Sequence, residues 1–222
     1  MATRHRRCGV VSGLTEFQAD VARLFFSLPG SSGFLLAGGA ALLVSGLTDR
    51  PTDDLDFFGE IGRSDVGAVR DQLEAAILER GWSSARLQDS ETFVRLRLTG
   101  DGDLIVDIAI DSAAGRPPVV SVVGPTFDPE ELAGRKLTAL FDRAAARDFA
   151  DVFVLAQRFG KRILLERAAE VDLGFDLTIL AEMLRTIDRF TDDELPIDDA
   201  EPTIVRSFFH EWADELEARH ND

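Results

Sequence analysis

The sequence predicts an α+β fold: a mixed sheet with flanking helices, followed by a helical C-terminal part. Three observations carry this reading. Short apolar strands alternate with amphipathic helical stretches up to about residue 123, "FVRLRLTG" and "DLIVDIAID" flank an Asp101-Gly102 hairpin turn, and the chain beyond "GRPPVVSVVGP" is built from helix formers. The expected organisation is therefore residues 1–123 as an α/β core with an N-terminal helix and 124–222 as a mostly helical part.

Taken in order, "LTEFQADVARLFFSLPG" places Leu14, Phe17, Val21, Leu24 and Leu28 at helical spacing, with Thr15 and Gln18 set as a capping box and Pro29-Gly30 ending the helix. "GFLLA" reads as a buried strand, "GGAALLVSGL" as a turn entering a short helix, and "DLDFF" as a second strand. Ser64 is the expected N-cap of the helix "SDVGAVRDQLEAAILERG", which Gly81 ends. In "DLIVDIAID", Leu104, Val106, Ile108 and Ile110 share one face, and Asp103, Ile105, Asp107, Ala109 and Asp111 the other. Five helical stretches follow, and "TDDELPIDDAEP" reads as a solvated connector before the last.

Composition narrows the function. The 222 residues carry a formal net charge of −16, which opposes nucleic-acid binding by broad phosphate neutralisation and leaves room only for a local basic patch. Arg135, Lys136, Arg143, Arg147, Arg158, Lys161 and Arg162 cluster in sequence and are the candidates. The longest apolar run, Gly33 to Leu47, is shorter than a bilayer span and broken by Gly38-Gly39. The basic N-terminus is followed by no apolar region of signal-peptide length, so the expected location is cytoplasmic, with no membrane partner. Cys8 is alone, and His5, His210 and His220 stand near the termini outside any zinc-ligand pattern. The 16 phenylalanines are expected in the core.

The chemistry concentrates in "FLLAGGAALLVSGLTDRPTDDLDFF". In a strand, Asp54 and Asp56 project from one face about 6.6 to 6.8 Å apart at the backbone, while Leu55 and Phe57 point the other way. Two ionised carboxylates set side by side repel unless a cation joins them, and Mg²⁺ takes one or two carboxylates together with substrate phosphate oxygens. Asp107, on the non-core face of a neighbouring strand, can supply a third carboxylate to a site with two metals. Gly38 and Gly39 let backbone N–H groups approach a phosphate at the start of the short helix. Ser45, Thr48, Arg50 and Thr52 fall between the two elements, where hydroxyls and a guanidinium can meet phosphate oxygens.

"GGAALLVSGLTDRPTDDLDFF" resembles the first motif of the DNA polymerase β-like nucleotidyltransferase superfamily, and more closely that of the AbiEii/MenT-type nucleotidyltransferase toxins: a Gly-Gly turn, a short helix, Arg-x-Ser/Thr and Asp-Leu-Asp-Phe. "RKLTALFDRAAARDFADVFVL", residues 135–155, resembles the second signature, a Lys-Leu-x-Ala-Leu helix followed by Arg-Asp-x-x-Asp-Leu, here with Phe153 in place of the last leucine. The resemblance implies a polymerase β-like core and transfer of a nucleoside monophosphate from an NTP to an acceptor hydroxyl, with release of pyrophosphate. Asp54 and Asp56 become metal ligands for Mg²⁺ or Mn²⁺, Gly38 and Gly39 the phosphate turn, Lys136 a triphosphate contact and Asp151 an essential carboxylate. Arg147 joins Lys136 in neutralising triphosphate charge.

The same resemblance implies a tRNA 3′ end as acceptor and a cognate antitoxin protein as partner. Two alternatives stay open from the residues themselves. One is a small-molecule or protein acceptor, which an acidic surface suits if the acceptor is cationic; the other is a non-enzymatic NTP-binding or interaction protein of the same fold.

Overall fold

A computed structural model describes residues 13–197 and 200–220, in two compact units with their boundary between Asp128 and Pro129. That boundary lies a few residues beyond the expected 123.

The first unit holds a mixed sheet of seven strands: β1 (Leu35–Ala37), β2 (Asp54–Glu60), β3 (Ser83–Asp89), β4 (Phe93–Thr99), β5 (Asp103–Asp111), β6 (Val119–Val120) and β7 (Pro125–Thr126), in the order β3-β4-β5-β2-β1-β7-β6. β2 runs parallel to β5 and antiparallel to β1, β4 and β5 form the expected antiparallel hairpin, and β7 lies parallel to β1.

Helix α1 (Glu16–Ser27) begins with the expected capping box, in which Thr15 Oγ1 accepts from the Gln18 N–H and Gln18 Oε1 from the Thr15 N–H. Its apolar face buries Phe25 flat against Phe57 of β2, ring centroids 3.8 Å apart, with Phe26 and Phe34 packed edge-on around the pair. These phenylalanines fill the core beneath the sheet, as composition suggested. Gln18, itself buried, donates from Nε2 to the Thr52 carbonyl at 2.7 Å, tying the start of α1 to the segment that enters β2.

Helix α2 (Gly38–Val44) follows β1 directly. Helix α3 (Val66–Glu79) corrects one expectation, because its N-cap is Asp65, whose carboxylate accepts from the Ala68 N–H at 2.9 Å. Ser64 Oγ instead accepts from the Glu60 N–H and closes the turn out of β2. The Ser64 hydroxyl is turned back to β2, and the neighbouring aspartate, an equally good cap, stands at the residue before the first helical position.

The second unit is helical: α4 (Pro129–Arg143), α5 (Ala146–Phe159), α6 (Lys161–Val171), α7 (Leu177–Arg185) and α8 (Pro202–His220). A Cβ on Gly134 would meet the Arg167 backbone at 2.6 Å, so this glycine sets how closely α4 and α6 approach. Phe149, Phe209 and Trp212 form the buried aromatic centre. Pro202 starts α8, at a position where a missing N–H costs nothing.

Candidate active site

Strand β2 alternates as the sequence required: Leu55 and Phe57 are fully buried, while Asp54 and Asp56 stand half-buried on the opposite face. The parallel register sets Asp56 beside Asp107 of β5, and the antiparallel register sets Asp107 beside Arg95 of β4. One cross-strand row therefore reads Asp56, Asp107, Arg95.

The Gly-Gly turn has a specific steric role. Gly38 has a φ of +62°, and a Cβ there would fall on Asp56 Oδ2; a Cβ on Gly39 would meet Thr52 Oγ1 at 2.8 Å, with Arg50 Nη2 at 3.6 Å. The turn, Arg50, Thr52 and the β2 carboxylates thus converge, and Thr52 Oγ1 donates to Asp54 Oδ1 at 2.6 Å. Ser45 is set apart from this group. It caps the far end of the seven-residue α2, roughly 10 Å of helix from the glycines, with its Oγ buried and without a hydrogen-bond partner.

Asp107 is buried, and Arg95 grips both of its oxygens, Nε to Oδ1 at 2.8 Å and Nη2 to Oδ2 at 2.6 Å. Those hydrogen bonds push the Arg95 pKa above the ordinary arginine value; burial opposes the shift, and the negative charges of Asp107, Asp56 and Asp54 add to it. The expected third carboxylate ligand is therefore occupied by a cation of the chain itself. Among the described residues no three carboxylate, imidazole or thiol groups converge as a metal cluster. Two carboxylates completed by phosphate oxygens and water remain an ordinary Mg²⁺ donor set, and Asp54 with Asp56 fits it. Arg95 was not foreseen, because its partner lies across two strands whose register no local pattern states.

In the helical unit, Lys136 and Asp151 face each other as a buried ion pair, Nζ to Oδ2 at 2.8 Å. The turn that allows this passes through Ala144, at a φ of +43°, and Asp148 holds it by accepting from the Arg143 guanidinium and the Ala145 N–H. Arg147 is exposed on the first turn of α5. The basic cluster read from the sequence is largely spent on ion pairs: Arg135 with Glu131, Lys136 with Asp151, Arg143 with Asp148, Lys161 with Glu215 and Arg162 with Glu166. Phe153 packs edge-on against Phe208. His210 sits 3.1 Å from Asp188, whereas His5 and Cys8 lie outside the described residues. No helix among the described residues is long and apolar enough to cross a membrane.

The family of nucleotidyl transferase AbiEii toxins of type IV toxin–antitoxin systems matches residues 22–216. The chain belongs to the AbiEii nucleotidyltransferase toxin family. It is accordingly a nucleotidyltransferase with an NTP substrate, and membership of a toxin–antitoxin family implies an antitoxin as partner. No curated protein matches at a significant level. Among solved structures, JHP933 from Helicobacter pylori is similar at 20% identity and a TM-score of 0.54, over 91% of this chain and 89% of that one. The MenT4 nucleotidyltransferase toxin of Mycobacterium tuberculosis is similar at 16% identity and a TM-score of 0.55, over 90% and 82%. At these identities the likeness concerns the fold, a mixed sheet with flanking helices and C-terminal helices shared with nucleotidyltransferase toxins, as the signatures had implied.

Proposed function

We propose that this AbiEii-family protein transfers a nucleoside monophosphate to the 3′ hydroxyl of a tRNA inside the cytoplasm, with Mg²⁺ or Mn²⁺ held by Asp54 and Asp56. The observation that carries the reading is the packing of Asp56 against Gly38, where there is no room for a Cβ, with Asp54 beside it on the same face of β2. In the reaction, the acceptor hydroxyl gives its proton to solvent as its oxygen bonds to the α-phosphorus of the NTP, the bond from that phosphorus to the β-phosphate bridging oxygen breaks, and pyrophosphate leaves. A divalent ion bound there would supply charge neutralisation for the phosphate oxygens.

The chain's own groups do the rest. Gly38 and Gly39 bring backbone close to the triphosphate, and Thr52 fixes the Asp54 carboxylate through its hydroxyl. Arg50 stands beside the glycines as a phosphate contact. Asp107, held by Arg95, orients the acceptor hydroxyl and is not assigned to the ion. Lys136 is assigned to the triphosphate as a compact positive charge, with Asp151 holding its ammonium and Arg147 adding a second cation.

A second reading has its own support. A groove lined by Glu16, Asp53, Asp101 and Asp103 opens beside Thr52, and it suits a cationic small-molecule or protein acceptor better than RNA.

The test is a transfer assay with purified protein, Mg²⁺ and each α-labelled NTP, with and without total tRNA. The tRNA reading requires label on tRNA with the native protein and none with Asp54→Asn, which keeps its fold because the change relieves repulsion. Full transfer by Asp54→Asn would remove Asp54 from the ion, and label on a cationic acceptor in place of tRNA would favour the second reading.

A further inference from the structure

The face of the sheet that carries Asp54 and Asp56 continues onto β4, where Phe93, Arg95 and Arg97 follow one another at alternate positions. Their β5 neighbours are Ala109, Asp107 and Ile105, and Asp54 shares the Ile105 row with Arg97. Two inter-strand spacings put the Arg97 backbone roughly 10 Å from that of Asp54.

The three side chains differ in what they have left to offer. Arg95 spends two nitrogens on Asp107 yet keeps 46% of its side chain exposed, and its guanidinium carbon lies 5.7 Å from the Phe93 ring centre. Arg97 is exposed and its directly opposite neighbours Ile105 and Ala85 are uncharged; of the β5 carboxylates diagonal to it, Asp103 accepts from Thr99 and Asp107 from Arg95, and among the described residues Arg97 has no ion-pair partner. Arg97 thus offers an exposed guanidinium that makes no ion pair among the described residues, next to an arginine–aromatic pair and on the sheet face that carries Asp54 and Asp56.

Building on the proposed transfer reaction, we infer that the β4 face is the acceptor platform: a phosphate of a single-stranded polynucleotide end sits on Arg97 and a base lies against Phe93 and the Arg95 guanidinium. The exposed Arg97 guanidinium fits one phosphate of the acceptor, and the aromatic beside the arginines commits the platform to a strand carrying unpaired bases, since stacking on an aromatic or guanidinium plane is how single strands are held. The platform is continuous with the Asp54/Asp56 face, so the end of a strand lying on it comes within reach of the reacting carboxylates.

The experiment measures fluorescence anisotropy of a labelled single-stranded oligoribonucleotide of about ten residues, NTP affinity, and transfer, on the full chain. Arg97→Gln should weaken oligonucleotide binding about fivefold and lower the slope of log affinity against log salt by about 0.7, the loss of one phosphate contact. Phe93→Ala should weaken it about tenfold. NTP affinity and melting temperature should be unchanged in Arg97→Gln, and Arg23→Gln on α1, bound to Asp20, should leave oligonucleotide binding as it was.

Unchanged affinity and salt slope in Arg97→Gln would overturn the inference even if the native protein transfers nucleotide to RNA. Equal loss of NTP affinity would overturn it as well, by showing that Arg97 acts on the triphosphate. Oligonucleotide binding that depends on Arg97, in a protein that transfers nothing to RNA, would sustain the platform and reject the transfer reading.

Discussion

A hydrogen atom in place of a methyl group at Gly38 leaves the space that the Asp56 carboxylate fills. Gly38→Ala should cost about 1–2 kcal/mol from the left-handed backbone alone, and displacement of Asp56 should lower transfer roughly 100-fold. Thermal unfolding and turnover check the two parts separately. Gly39→Ala meets Thr52 Oγ1 at 2.8 Å and Thr52 Cβ at 3.1 Å without a positive φ to strain; it should cost less stability than Gly38→Ala, and its effect on transfer should come through the Thr52 hydrogen bond to Asp54. The Arg95–Asp107 pair makes a second case. Arg95→Met leaves a buried carboxylate without its cation and should cost about 1–3 kcal/mol, below the value for a fully buried pair because Arg95 is half in water. Asp107→Asn in the same chain should recover most of that loss, and a double-mutant cycle by urea unfolding that finds no coupling would contradict the pairing. The Asp54/Asp56 pair was legible because strand alternation is a local rule. Arg95 and Arg97 were not, because their meaning comes from a register among β2, β5 and β4 that only the folded sheet establishes.

Among the elements, those with an apolar stripe were readable and those without one were not. Helix α1, strands β2, β4 and β5 and the five C-terminal helices each bury one face, and each had been expected. Strand β3, "SSARLQD", is exposed along nearly its whole length, so no alternation marks it. It is held by pairing with β4 and by Arg86 bonding to Glu74 of α3. The start of α3 shows a finer limit, since Ser64 and Asp65 are both good caps and sequence could not choose between them. Asp65→Ala should destabilise the protein by about 1 kcal/mol through the orphaned Ala68 N–H, and hydrogen exchange should show it in the first turn of α3. Loss of Ser64 should instead be felt at the Glu60 amide.

At the scale of the molecule, the α+β class followed from the change from strands to helix formers along the chain, and the family from two signatures that lie in different units, one in residues 38–58 and one in 135–155. The distribution of charge followed only in part: Arg135–Glu131 and Arg162–Glu166 are i,i+4 pairs that helical spacing could show, whereas Lys136–Asp151 and Lys161–Glu215 join residues that only the fold brings together. The two rims of the sheet carry one more consequence. At one rim, β3 has a register shift between Arg86 and Gln88 and is tied to α3 by charged pairs through Arg70, Asp71, Glu74 and Asp89. At the other, β6 is only two residues long, follows Pro117 and Pro118, and pairs with β7, whose first residue is Pro125. Such borders are poor templates for main-chain pairing. An extended peptide therefore gains little from laying itself alongside this sheet, and growth into stacked fibres by border-to-border pairing is disfavoured from both directions.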